Sequence, residues 1–103
     1  MRIDFDPKYV QKILSGKKRA TIRRGIRQVK PGDVVVLTAE NKPFATAQVV
    51  RVSLKRVSEL TNADARKDGY RSVQRLKREL RRFYPKLGDD DIVTIIEFEV
   101  DRQ

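Results

Sequence analysis

A run of alternating apolar residues between Phe44 and Val57 constrains the fold of this 103-residue chain more than any other feature. Its apolar positions change parity half-way: the first set is Ala45, Ala47 and Val49, and the second is Val50, Val52 and Leu54. Alternation with a period of two is typical of a β-strand with one buried face. Because a strand changes parity only through a bulge or a sharp bend, the run predicts a long strand that curls around a barrel.

Shorter segments predict the other strands and the turns. Strand-like patterns occupy residues 17–24, 34–39 and 92–100, and turns are expected at residues 29–33, VKPGD, and at residues 41–43. In the last strand we expect Glu97 and Glu99 to lie opposite a single buried face. The residues expected on that face are Ile92, Thr94, Ile96, Phe98 and Val100.

Helix signals occur in three places. Asp6 and Pro7 begin a first helix that ends at Gly16, its apolar face being Tyr9, Val10, Ile13 and Leu14. Thr61 and Asp64 form a capping box that opens a short helix running to about Asp68 and stopping at Gly69. A last helix ends at Tyr84-Pro85. Its buried face is expected to contain Val73, Leu76, Leu80 and Phe83, with Arg71, Arg75, Arg78 and Arg82 mostly toward water.

Together these patterns predict the α+β class. The expected architecture is a small, mixed but mostly antiparallel β-barrel with two to three peripheral helices and a basic cleft, in a single domain over residues 1–103. The N-terminus lacks an apolar signal region and no apolar run approaches membrane length, so we expect a cytoplasmic protein with no membrane partner.

The charge balance points to a polyanionic partner. Lysine and arginine outnumber aspartate and glutamate 24 to 14, and the pI is near 10.3. Nucleic acid is the commonest partner of such chains, although a heavily charged surface is also typical of proteins from hot environments. The chain has no cysteine and no histidine, which excludes thiol chemistry, disulfides and histidine-based catalysis. We expect no metal and no cofactor.

The segment KILSGKKRATIRRG, residues 12–25, contains six cations, five of which follow Gly16. Strand alternation directs Ala20 and Ile22 to the core and places Arg19, Thr21 and Arg23 on the opposite face. Lys18 precedes Thr21 by three residues, which in a regular strand puts the two on opposite faces. They converge only if the turn after Gly16 or a bulge redirects Lys18, and the sequence leaves this open.

Several motifs in this order resemble the ASCH domain family, which is related to the PUA fold. They are GKKRATIR, PGD, FATAQVVRV, LTNADARKDGY, the helix end FYP and the closing IIEFEV. The resemblance implies a PUA-like barrel with a cleft that binds RNA or a nucleoside. Some small bacterial members are amidohydrolases that deacetylate N4-acetylcytidine. Their catalytic residues correspond here to Lys18, Thr21 and Asp68, although those enzymes carry glutamate at the third position.

Two functions remain open from the residues. In the first, a basic cleft holds RNA or a nucleotide through Tyr70 and a set of cations: Lys17, Lys18, Arg19, Arg23, Arg24, Arg71 and Arg75. In the second, a small hydrolase, either an amidohydrolase or a weak ribonuclease, uses Thr21 as nucleophile, Lys18 as base and Asp68 as an orienting or acidic group. The excess of positive charge makes RNA binding the primary prediction, and the Lys-x-x-Thr spacing supports the hydrolase as the alternative.

Simpler interpretations also stand. Thr21 suits a strand by propensity alone, Lys18 suits a solvated turn, and Asp68 suits the last position before a helix-stopping glycine. The arginines of the last helix suit a solvated face, and a protein partner is neither indicated nor excluded.

Overall fold

A computed structural model describes residues 1–101. The five strands are β1 Arg2–Phe5, β2 Ala20–Arg24, β3 Val34–Ala39, β4 Lys42–Arg56 and β5 Ile92–Val100. The α-helices are α1 Val10–Leu14, α2 Asn62–Lys67 and α3 Val73–Phe83, and short 3-10 helices cover Pro7–Tyr9 and Val57–Glu59. The predicted α+β class is confirmed. Within residues 1–101 no helix is both long enough and apolar enough to cross a membrane.

The five strands form one curled sheet in the order β1-β3-β4-β5-β2. β1 pairs with β3 in parallel and every other pair is antiparallel. Curling brings the two edge strands toward each other. Their proximity is shown by a hydrogen bond of 2.9 Å, which Arg23 Nη2 on β2 donates to the carbonyl oxygen of Asp4 on β1. A side chain, rather than a ladder of backbone hydrogen bonds, thus bridges the seam of a half-barrel.

The bulge predicted in the long strand is present. Val49 pairs with Phe98 and Arg51 pairs with Glu97, so the register between β4 and β5 shifts at Val50. The predicted burial beyond the bulge is wrong for two residues, since Val50 and Leu54 are exposed. The physical reason is that β3 pairs only as far as Gln48, beyond which β4 has β5 alone as its neighbour.

Two apolar clusters lie on the two sides of β5. Ile96 and Phe98 belong to one cluster, and Val93 and Ile95 belong to the other. The prediction that β5 has a single buried face is therefore wrong. β5 lies between β4 and β2 with both faces covered, a position in which strands become apolar throughout. Tyr70 packs against both clusters and therefore marks their junction.

The predicted helix boundaries are confirmed because they depend on local chemistry. The Asp6 side chain accepts from the backbone N–H of Lys8 at 3.0 Å, and Gly16 has the positive φ of 83° that ends the first helix. Thr61 and Asp64 form the expected capping box. On α3 the structure departs from the prediction at Phe83, which is 49% exposed, while Leu76 and Leu80 are buried.

Candidate functional site

A cavity of about 230 Å³ lies at the seam between the two edge strands, where α3 covers the sheet. Its walls come from β1, β2, the end of α2 and the inner face of α3. The polar and aromatic lining residues are Asp4, Phe5, Asp6, Tyr9, Lys18, Thr21, Arg23, Asp68, Tyr70, Glu79, Phe83 and Tyr84. The predicted catalytic residues Lys18, Thr21 and Asp68 are all in this set.

Lys18 enters the cavity because the strand starts later than its sequence pattern suggests. The backbone N–H of Lys18 donates to Lys12 O at 2.9 Å, and that of Arg19 donates to Lys67 O at 2.8 Å. These bonds tie the segment to α1 and α2, so regular alternation begins only at Ala20. The turn after Gly16 therefore redirects Lys18, which lines the same cavity as Thr21.

Lys18 and Asp68 form a buried ion pair, with 4% and 5% of their surfaces exposed. Besides its contact with the carboxylate, Lys18 Nζ donates to the backbone oxygen of Asp68 at 3.3 Å. The neighbouring Gly69 permits the close approach, since a Cβ there would lie 3.3 Å from Lys18 Cβ and its φ is +88°. The ammonium group also lies 4.9 Å from the centroid of the Tyr9 ring.

Burial moves both pKa values of this pair toward each other. It raises the pKa of Asp68 to about 6 from an ordinary 3.8, with the charge of Lys18 opposing the rise. It lowers the pKa of Lys18, with the charge of Asp68 opposing the fall. A proton therefore moves between the two side chains at a smaller free-energy cost than it would in water.

Thr21 is 4% exposed and is held by Arg23. Arg23 Nε donates to Thr21 Oγ1 at 2.9 Å, and the guanidinium carbon lies 5.1 Å from the centroid of the Phe5 ring. Within residues 1–101 the Thr21 hydroxyl donates no hydrogen bond in return. Its own proton thus remains available to a base, while its oxygen is fixed in place.

Tyr9 and Tyr70 form the polar part of the wall. Their hydroxyl oxygens are 2.7 Å apart and their rings pack edge to face with centroids 6.5 Å apart. Burial raises the pKa of both phenols, so both are neutral at physiological pH. Tyr70 packs against both apolar clusters and also lines the cavity.

The family follows from the sequence match. A model of the ASCH domain matches residues 2–101. The chain belongs to the ASCH domain family. Its curled, mostly antiparallel sheet with short helices is the PUA-like fold that the resemblance implied.

Solved structures, among them two ASCH proteins, share this fold. The ASCH domain of Lactobacillus crispatus is 20% identical with a TM-score of 0.78, over 87% of this chain and 68% of that one. ASCH from Zymomonas mobilis is 18% identical with a TM-score of 0.74, over 99% and 67%. A protein of Pyrococcus furiosus is 20% identical with a TM-score of 0.65, over 99% and 97%. At these identities the likeness establishes the fold and not the reaction. No curated protein matches the chain.

The charges that line the cavity of this ASCH domain are of both signs, whereas the sequence predicts a basic cleft. It contains four carboxylates, Asp4, Asp6, Asp68 and Glu79, and two cations, Lys18 and Arg23. A hydrogen bond from Thr38 at 2.6 Å holds the pKa of Asp4 below its ordinary value, so this group is ionised. The predicted residues divide between this half-open cavity and an exposed cationic surface.

That surface carries the remaining predicted nucleic-acid residues. Lys17, Arg19, Arg24, Arg71 and Arg75 are exposed and line no part of the cavity. Sequence reasoning missed Glu79, although it is the sole acid among the residues of α3 and binds Lys8 at 2.9 Å and Arg82 at 2.7 Å. The sequence did contain a signal for this residue, because a single acid in an otherwise basic helix indicates a specific role. Within residues 1–101 no cluster of three metal-ligating side chains occurs.

Proposed function

We propose that this ASCH domain hydrolyses the amide of an N-acylated pyrimidine base of the N4-acetylcytidine type. The observation that carries the proposal is the buried Lys18–Asp68 pair, which shares one cavity with the hydroxyl of Thr21. Burying two charges is costly, and replacing such a pair by apolar residues is often neutral or stabilising. Buried titratable groups with shifted pKa values in a cleft are characteristic of catalytic sites.

The charge and size of the cavity support a neutral ligand. With four carboxylates and two cations in its lining, the cavity repels a phosphate but accepts an uncharged base. Its volume of about 230 Å³ lies below the range of about 300–1,000 Å³ typical of pockets for drug-sized ligands, which suits one pyrimidine with a small acyl group.

The residues fill the roles of acyl transfer. When substrate excludes water, the Lys18 proton passes to Asp68, and the neutral amine accepts the proton of Thr21 as Oγ1 attacks the carbonyl carbon. The C–N bond then breaks, the exocyclic amine takes a proton from Lys18, and the acyl group remains on Oγ1 as an ester. Water hydrolyses this ester, releasing the carboxylic acid and restoring Thr21, and the proton held by Asp68 returns to Lys18. Arg23 retains N–H groups that are not engaged by Thr21 or Asp4, and these stabilise the oxyanion.

The direct test is incubation of the purified protein with N4-acetylcytidine and chromatographic measurement of cytidine release. We expect turnover that exceeds a protein-free control and scales with protein concentration. An absence of turnover at high micromolar protein would overturn the proposal.

The reaction is expected to lose rate below about pH 6. There Asp68 is protonated, so it no longer accepts the proton that Lys18 must release. Accordingly kcat/KM should fall about tenfold per pH unit below this inflection. Asp68→Asn should abolish the inflection along with most of the activity. A profile that stays flat between pH 5 and 7 in the unaltered protein would contradict the assigned role of Asp68.

RNA binding by the exposed surface is the second candidate. It is favoured by the observation that Lys17, Arg19 and Arg24 make no ion pair with any carboxylate in the described part of the chain. Such free cations neutralise phosphates and make affinity dependent on salt.

For this candidate we expect Arg19→Gln/Arg24→Gln to reduce the slope of log affinity against log salt for single-stranded RNA by about 1 to 1.5. The matched control is Arg51→Gln/Arg81→Gln, because both of those arginines already pair with carboxylates, Glu97 and Asp89. Equal slopes for the two double variants, measured by fluorescence anisotropy, would exclude a specific role for Arg19 and Arg24.

A further inference from the structure

A second concavity of about 470 Å³ adjoins the cavity on the outer side of the tyrosine pair. We call it the cationic groove, and its lining residues are Lys8, Tyr9, Lys12, Tyr70, Arg75, Arg78 and Glu79. Tyr9, Tyr70 and Glu79 line the cavity as well, so the two spaces share one wall. The two spaces are therefore neighbours, and a ligand with its base in the cavity has the groove beside it.

The charge of the groove is opposite to that of the cavity. Four cations face a single carboxylate, Glu79, which is already paired with Lys8 and Arg82. Within residues 1–101, Arg75 and Arg78 form no ion pair, and they lie three residues apart on α3, which places them on the same face. Lys12 Nζ makes a long hydrogen bond of 3.4 Å to Gly69 O and lies 5.7 Å from the centroid of the Tyr70 ring, and within residues 1–101 it pairs with no carboxylate. At least three cations thus remain free to neutralise an anion.

We propose that the cationic groove binds a phosphate of the molecule whose base occupies the cavity, so that the substrate is a nucleotide rather than a free nucleoside. This inference rests on the proposed function for the identity of the base. Two guanidinium groups on one helix face suit the bidentate recognition of phosphate oxygens. The groove also gives a role to positive charge that a wholly uncharged substrate would leave unused.

The test compares kcat/KM for N4-acetylcytidine, its 5′-monophosphate, its 3′-monophosphate and a short oligonucleotide that contains it. We expect at least one phosphorylated substrate to exceed the nucleoside by about tenfold or more at low salt, through a lower KM. In Arg75→Gln/Arg78→Gln this advantage should disappear. The control Arg56→Gln/Arg66→Gln removes the same charge from exposed positions outside the groove and should retain the advantage.

The four substrates distinguish the possible sources of the phosphate. They also distinguish failure of the groove proposal from failure of the hydrolase proposal. A higher kcat/KM for a monophosphate would show that the groove binds a phosphate monoester. A higher kcat/KM for the oligonucleotide alone would show that it binds the phosphodiester backbone of a strand. If the nucleoside and all phosphorylated forms react equally, the groove proposal is wrong while the hydrolase proposal stands. If nothing reacts, the hydrolase proposal fails, and calorimetric binding of cytidine 5′-monophosphate against cytidine decides the groove. Equal affinity of these two ligands would overturn it.

Discussion

Replacing Thr21 by valine is expected to abolish amide hydrolysis, with kcat reduced by about 1,000-fold or more. Valine has almost the shape of threonine and suits the strand, so β2 keeps its pairing opposite Ile96 on β5. The substitution removes the nucleophilic oxygen and, with it, the acceptor of the Arg23 Nε hydrogen bond. Arg23 retains its bond to Asp4 O, so the seam of the half-barrel remains bridged.

Thr94→Val provides the matched control, because Thr94 is also a fully buried strand threonine but lies outside the cavity lining. It loses hydrogen bonds to Gly25 and Arg27, so we expect it to lower stability while kcat stays within a few-fold. Thr21→Val should still bind the product cytidine with nearly unaltered affinity. Sustained hydrolysis by Thr21→Val would show that water attacks directly and that Thr21 is not the nucleophile.

The parts of the fold that the sequence predicts correctly are those set by neighbours along the chain. The capping box of Thr61 and Asp64, the stop at Gly69 and the bulge at Val50 each depend on a few adjacent residues. β1 was missed because Arg2–Phe5 supplies only two apolar residues, and its strand character comes from parallel pairing with β3, more than thirty residues away. No local pattern encodes that pairing.

The cavity is predictable in its residues but not in its geometry. Strand alternation separates Lys18 from Thr21, and only backbone hydrogen bonds to Lys12 and Lys67 delay the strand and bring them to one cavity. Asp68 has a purely local interpretation as the residue after α2, and the structure shows it to be both that C-cap and the partner of Lys18. The acidic character of the lining depends on three separate parts of the chain, the end of β1, the residue after α2 and the middle of α3, which sequence spacing does not bring together.

Removing Lys18 alone is expected to have the largest effect on stability. Lys18→Met leaves the carboxylate of Asp68 buried without its partner, which should lower the free energy of unfolding at pH 7 by about 3–5 kcal/mol. The loss should shrink on acidification. The pKa of folded Asp68, already raised to about 6 by burial, rises further without the lysine, so stability is present below the unfolded value of 3.8 and is lost as pH increases through the folded pKa.

The double variant Lys18→Met/Asp68→Leu separates stability from function. It places two apolar groups of similar size in the same space, so it should recover most of the stability and remove its pH dependence, yet remain inactive. Lys55→Met is the control, because its ion pair with Asp64 is more exposed and should be worth about 1 kcal/mol or less. Urea unfolding at pH 4 and pH 7 measures all four proteins. If Lys18→Met/Asp68→Leu is much less stable than the unaltered protein at pH 7, the pair itself stabilises the fold, and the strongest argument for a catalytic role is lost.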